Sequence, residues 1–132
     1  MKKINNILIK GFYFVNLIFI IFYLYPGSIF GYFLYEDSHI QPQITRDFSI
    51  LDFLISSNHF YVFIFLSIFG ILAYQNTKKI NFLINYLFLL SFILEFFHIF
   101  IPNRGFEFSD LIGNIMGVIV VIILYKIKKK YV

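Results

Sequence analysis

The chain has 132 residues, of which 60% are hydrophobic and only 14% are charged. A soluble domain carries roughly 25% charged residues, and a chain this short has too little interior to bury so much apolar surface. The composition therefore excludes an ordinary soluble domain, and the lack of cysteine excludes disulfides, thiolate nucleophiles and cysteine-ligated metals.

Four apolar runs are long enough for membrane-spanning helices, which need about 20 residues each. In chain order they cover residues 7–25, 58–74, 80–101 and 106–125. Backbone groups in lipid must be paired within their own segment, and the alternation typical of barrel strands is missing, so each run is predicted to be a helix. The first run is longer than the apolar part of a signal peptide, and no small-residue cleavage site precedes Pro26. We therefore expect an uncleaved first span.

Cations and acids fall at opposite ends of these four runs. Nine of the eleven cations flank one set of ends: Lys2, Lys3, Lys10, Lys78, Lys79, Lys126, Lys128, Lys129 and Lys130. All seven acids and all three histidines lie in the loops or span ends on the other side. By the positive-inside rule the lysine side is cytoplasmic. We predict an all-α, four-helix transmembrane bundle with both termini cytoplasmic, forming one membrane domain over residues 1–132 with an outer loop at 26–57.

Polar residues are concentrated around the turn between the third and fourth runs. Glu95 lies about 10 Å below the end of its helix, and His98 shares its face three residues later. Asp110 and Asn114 share one face of the fourth helix, with glycines at positions 113 and 117 that allow another helix to approach closely. Ionisable groups at this depth are costly and mark functional sites by default. Because the connecting turn is short, we expect both faces to meet beneath the outer surface, with Arg104 above them.

The spacing of these residues within 95–117 resembles a known family signature. The residues that carry it are Glu95, His98, Pro102, Arg104, Asp110, Asn114 and Gly117. In this pattern the chain is similar to the VanZ-like family of small bacterial membrane proteins, which typically has glutamine in place of His98. The family's histidine at the outer start of the second span matches His59, although the Asp-Lys pair that usually precedes it is replaced by Ile55 and Ser56. The resemblance implies a multi-pass protein of the bacterial cytoplasmic (inner) membrane with a role in the cell envelope, because the family's namesake is associated with low-level teicoplanin resistance.

We expect the cluster to bind an anionic or lipid-linked ligand at the outer leaflet, and so to modulate sensitivity to glycopeptide antibiotics. Arg104 would hold phosphate through its fork of donors, and Glu95 and Asp110 would orient it. The ligand-binding candidates are completed by three residues, namely His98, Asn114 and His59. The expected partner is a membrane lipid or a lipid-linked envelope precursor. This hypothesis assigns no cofactor and no metal, and the spread of lysines over three membrane flanks argues against nucleic acid.

Three alternatives stay open. A membrane-embedded hydrolase or transferase acting on an envelope lipid would use Glu95 as general base, with Asp110 as nucleophile or metal ligand and His98 beside them. A metal would fit because Glu-x-x-His is a ligand spacing found on bundle helices, and His59 with Asp110 would complete three or four ligands. Alternatively, the cluster only holds the helices together, where each interhelical polar pair contributes about 1 kcal/mol or less. A transport function would require a homo-oligomer, since four short spans do not enclose a pathway alone.

Overall fold

Four long helices dominate the computed structural model, which describes residues 2–42 and 55–131. They are α1 (Lys2–Tyr23), α3 (Ser57–Tyr74), α4 (Ile80–Phe97) and α5 (Phe108–Tyr131), while the short α2 (Ile29–Tyr35) lies in the loop after α1. A single 3-10 turn, His98–Phe100, continues α4. Over the described ranges the chain is all-helical, which confirms the predicted all-α fold class. The helices lie close to the predicted runs, except that α1 begins at Lys2 and α5 continues to Tyr131.

All four long helices have the length and hydropathy needed to cross a membrane. Their outward surfaces are also apolar: Phe65, Leu89 and Leu124 are 62%, 58% and 60% exposed. Exposing apolar surface to water costs a free energy of roughly 25 cal/mol per Å², whereas apolar surface in contact with lipid does not carry this cost. The chain is therefore a multi-pass membrane protein, with aliphatic and aromatic side chains facing lipid.

Ring contacts show how the helices run relative to one another. Tyr23 at the end of α1 lies 5.3 Å from His59 at the start of α3, and Phe12 meets Tyr74 near the far end of α3, with ring centroids 5.9 Å apart. These two helices are therefore antiparallel. We call the end of the bundle where α1 and α4 finish and α3 and α5 begin the polar end. Lys78 and the last turn of α5 lie at the opposite end.

Helices α3 and α5 run parallel and pack closely through two glycines. A Cβ added at Gly113 would lie 2.6 Å from the carbonyl oxygen of Ser56, and one added at Gly117 would lie 2.6 Å from that of Phe60. Real Cβ atoms do not approach backbone oxygen so closely, so only glycine permits this spacing. The approach brings the first turn of α3, which carries His59, against the first turn of α5.

The connection after α1 folds over the polar end. Gly27 has φ of +87°, which favours glycine, and the Ser28 hydroxyl caps α2 by accepting from the Gly31 N–H at 2.9 Å. The Asn58 amide donates to the Pro42 carbonyl at 2.9 Å and ties this segment to α3. The segment therefore forms one wall of the space above α1 and α3.

Candidate functional site

Three of the predicted site residues are buried together at the polar end. Glu95 and Asn114 are 0% exposed and His98 is 1% exposed. Glu95 occupies the last turn of α4, His98 begins the 3-10 turn, and Asn114 lies in the second turn of α5. The faces of the two helices that carry these residues therefore point into the bundle interior.

Glu95 is held by three groups from different parts of the chain. Its Oε2 accepts the Tyr23 hydroxyl at 2.9 Å and lies 3.3 Å from Nδ1 of His98. Its Oε1 accepts the backbone N–H of Glu107 at 3.0 Å. Tyr23 in turn accepts the Asn114 Nδ2 amide at 2.6 Å, so one chain of hydrogen bonds links α5, α1 and α4. Buried polar groups need such partners, because each unpaired one costs about 1–3 kcal/mol.

The two nitrogens of His98 have different partners. Nε2 donates to the backbone carbonyl of Tyr23 at 3.0 Å, which fixes a proton on that nitrogen. Nδ1 faces Glu95 at 3.3 Å, so a hydrogen bond there needs one further proton, either on the imidazole or on the carboxyl group. The His98 ring also stacks on Tyr23, with centroids 4.7 Å apart and planes 13° from parallel. The pair is thereby fixed in position.

Tyr23 is the central residue that the sequence analysis missed. It bonds both Glu95 and Asn114 and is 8% exposed. A tyrosine near the end of an apolar run is typical of the aromatic belt at the membrane interface. Its inward direction depends on how α1 packs against α3 and α4, which no local pattern encodes.

His59 and Asp110 form a second pair beside the first. The His59 Nδ1 lies 3.1 Å from Asp110 Oδ1 and 2.9 Å from the Ser56 hydroxyl. The pair is held in place by the backbone, because the Ser56 N–H donates to the Ser109 carbonyl at 3.0 Å. One ligand atom each from His59, Glu95 and Asp110 lies within 4.8 Å of the others, so three helices present a nitrogen and two oxygens around one point.

Arg104 lies apart from both carboxylates. Its Nη2 donates to the Gly27 carbonyl at 2.6 Å, while its buried Nε has no hydrogen-bond partner in the described part of the chain. Among residues 2–42 and 55–131, neither Glu95 nor Asp110 forms an ion pair with it. The structure therefore gathers the other five candidates into one cluster and places Arg104 on the α1–α2 connection instead.

A cleft of about 420 Å³ opens beside the cluster between α1, α2 and α3. Its walls are mainly apolar, and its polar groups include the Arg104 guanidinium and the His59 ring. The residues that border it are Phe19, Phe22, Tyr23, Ser28, Phe30, Leu34, Gln41, Pro42, Asn58, His59, Val62 and Arg104. Binding sites for small ligands commonly have volumes of about 300–1,000 Å³ with mostly apolar walls and a few polar groups. The cleft meets that description.

A second, polar cleft of about 220 Å³ lies beside Asp110. It is bordered by Gln41, Ser56, Ser57, Asn58, Glu107, Ser109 and Asp110. Asp110 is thus reached from this cleft and His59 from the larger one, so the pair lies between two openings.

Comparison with protein-family models, with curated proteins and with solved structures gives no match for this chain. The resemblance to the VanZ-like family in residues 95–117 therefore stays a prediction from spacing.

Proposed function

We propose that this protein binds an anionic amphiphile, a membrane lipid or a lipid-linked envelope precursor, in the larger cleft at its polar end. The observation that carries the proposal is Arg104, which borders an apolar cleft and whose buried Nε has no hydrogen-bond partner in the described part of the chain. A half-buried cation with no carboxylate partner among residues 2–42 and 55–131 favours an anion at the same place. Arginine is well suited to phosphate because its planar fork of donors contacts two oxygens at once.

The shape of the cleft supports an amphiphile over a small polar ligand. Phe19, Phe22, Phe30 and Leu34 provide walls on which acyl or prenyl chains pack, while Arg104 lies where a headgroup would sit. In the proposed orientation, the lysine-rich end is cytoplasmic and the polar end lies in the outer leaflet. A VanZ-like envelope factor in a bacterial inner membrane would reach lipid-linked precursors from that position and alter sensitivity to teicoplanin-like antibiotics.

Native mass spectrometry of the detergent-purified full chain tests this binding. We expect the protein to retain phosphatidylglycerol or undecaprenyl phosphate in preference to phosphatidylcholine, and Arg104→Gln to abolish that preference. Lys126→Gln is the matched control, because it removes one cation at the lysine-rich end. Retention of undecaprenyl phosphate alone would identify a lipid-linked precursor as the ligand, and equal retention of all three lipids would contradict the proposal.

A second candidate function is a hydrolase or transferase acting on an envelope lipid. It is favoured by the proximity of His59, Glu95 and Asp110, which supply a base, a nucleophile or metal ligands within 4.8 Å of one another. An enzyme of this type would turn over a polyprenyl phosphoester, and Asp110→Asn would abolish that turnover while leaving lipid retention intact. A chain that binds the lipid without turnover would fit the first proposal alone.

A further inference from the structure

The polar end holds two carboxylates close together, that of Glu95, which is buried, and that of Asp110, which is partly buried, and within the described residues neither is paired with a guanidinium. Ligand atoms of Glu95 and Asp110 lie within 4.8 Å of each other, and Arg104 donates to Gly27 instead of either one. Glu95 is fully buried, and the Asp110 side chain is 14% exposed. Like charges at this separation in a poorly solvated site repel strongly unless a proton or a cation is shared between them.

We propose that His59, Glu95 and Asp110 form a binding site for one divalent transition-metal ion of the zinc type. One imidazole nitrogen and two carboxylate oxygens are a ligand set that zinc accepts, and the two carboxylates neutralise the charge of a dication. Ligand atoms around tetrahedral zinc lie roughly 3.4 Å apart, so binding needs the separations of at most 4.8 Å to shorten by up to about 1.4 Å. The main hypothesis from the sequence assigned no metal, while the enzyme alternative left open a metal held by Glu95 and His98 with His59 and Asp110. The structure groups His59, Glu95 and Asp110 from that set.

The surroundings of the three residues are those of a supported metal site. Glu95 is oriented by the Tyr23 hydroxyl and by the Glu107 N–H, and His59 Nδ1 lies beside the Ser56 hydroxyl. Polar groups that orient ligands in this way are a regular feature of metal centres. The ligands also come from three different helices, so the fold itself fixes their separation.

An unsatisfied polar atom provides a second, independent observation. Asn114 is 0% exposed, and its Oδ1 has no hydrogen-bond partner within the described ranges, although its Nδ2 donates to Tyr23. Asn114 lies one helical turn from Asp110 on the same face of α5. A hydrated ion held by the three ligands would offer this oxygen a water as donor. His59 borders the larger cleft and Asp110 borders the polar cleft, so two of the three ligands are next to space through which an ion can enter.

Metal analysis of the full-length protein tests the site directly. Detergent-purified protein is stripped with chelator, dialysed against excess Zn²⁺, desalted and analysed by inductively coupled plasma mass spectrometry. We expect one zinc per chain, and at least about tenfold less in His59→Gln and in Asp110→Asn. The matched controls are His39→Gln and Glu36→Gln, which remove an exposed histidine and an exposed acid from the connection after α1. Wild-type protein without stoichiometric zinc, or ligand variants that retain it fully, would overturn the proposal.

Cobalt provides a readout that does not depend on the ligand variants folding. Co²⁺ at a site with nitrogen and oxygen ligands and fewer than six of them gives visible absorption bands, which should appear in wild-type protein and in His39→Gln. Zinc added in excess should remove those bands. A colourless wild-type complex would overturn the inference, whereas lipid retention measured without metal would still decide the proposed function separately.

Discussion

The hydroxyl of Tyr23 donates to the carboxylate of Glu95 at 2.9 Å and joins two helices across 72 positions of the sequence. The same hydroxyl oxygen accepts the Asn114 amide at 2.6 Å, so one phenol connects α1, α4 and α5. In lipid, burying apolar surface between helices contributes little free energy to their association. A hydrogen bond between helices therefore contributes directly to the stability of the bundle.

Tyr23→Phe is expected to destabilise the bundle by about 1–2 kcal/mol, because Glu95 and Asn114 each lose a partner in a dry environment. Thermal or SDS-induced unfolding in detergent measures the change. Tyr25→Phe is the matched control, since Tyr25 is 45% exposed and lies two residues beyond the end of α1. Equal stability of the two variants would show that the phenol is not a structural link.

Helix positions and the inward faces of α4 and α5 were predictable from the sequence. Apolar runs predict where helices lie, and a spacing of three or four residues places Glu95 with His98 and Asp110 with Asn114. The short turn between the third and fourth runs added the expectation of one pocket around them, and the family resemblance in residues 95–117 added an expected role in the cell envelope.

Tyr23 and Arg104 were not predictable in the same way. The role of Tyr23 depends on the packing of α1, and the direction of Arg104 depends on the Gly27 carbonyl in a connection whose fold has no periodic pattern. The His59–Asp110 pair depends on the contact between α3 and α5 at Gly113. Contacts between elements distant in sequence determine all three, so local spacing alone does not reveal them.

Gly117→Leu is expected to lower the amount of folded protein severely, because any side chain there meets the Phe60 carbonyl at 2.6 Å and the Phe63 Cβ at 2.9 Å. Even Gly117→Ala should cost about 1–3 kcal/mol, since α3 and α5 must move apart. Gly105→Ala is the control, as a Cβ there has no neighbour within 4 Å. Membrane abundance and unfolding in detergent are the measurements, and a stable Gly117→Leu variant would contradict the close helix contact.

Arg104→Ala is expected to abolish any protection against teicoplanin in a bacterial host while leaving membrane abundance near the wild-type level. The reason is that Arg104 faces the cleft and bonds one backbone carbonyl, so its loss removes the proposed anion contact and little packing. Arg104→Lys should retain only part of the wild-type protection, because an ammonium group lacks the planar set of donors that contacts two phosphate oxygens at once. If Arg104→Ala lowers abundance as severely as Gly117→Leu does, the purely structural explanation of the polar cluster gains support.

Substitutions at His98 test whether this position needs only a polar side chain or specifically an imidazole. Nε2 donates to the Tyr23 carbonyl and Nδ1 faces Glu95, so a side chain with a flexible donor can retain at least one of these contacts. His98→Gln, which introduces the residue typical of VanZ-like proteins, should therefore stay within about 1 kcal/mol of wild type.

His98→Leu keeps a similar apolar bulk but leaves a buried carbonyl and a buried carboxyl group without this partner, at a cost of about 1–3 kcal/mol. Unfolding of the two variants in detergent gives the comparison, with His39→Leu as a control at an exposed histidine. If glutamine and leucine destabilise the protein equally, the stacking of the imidazole on Tyr23 matters more than its hydrogen bonds.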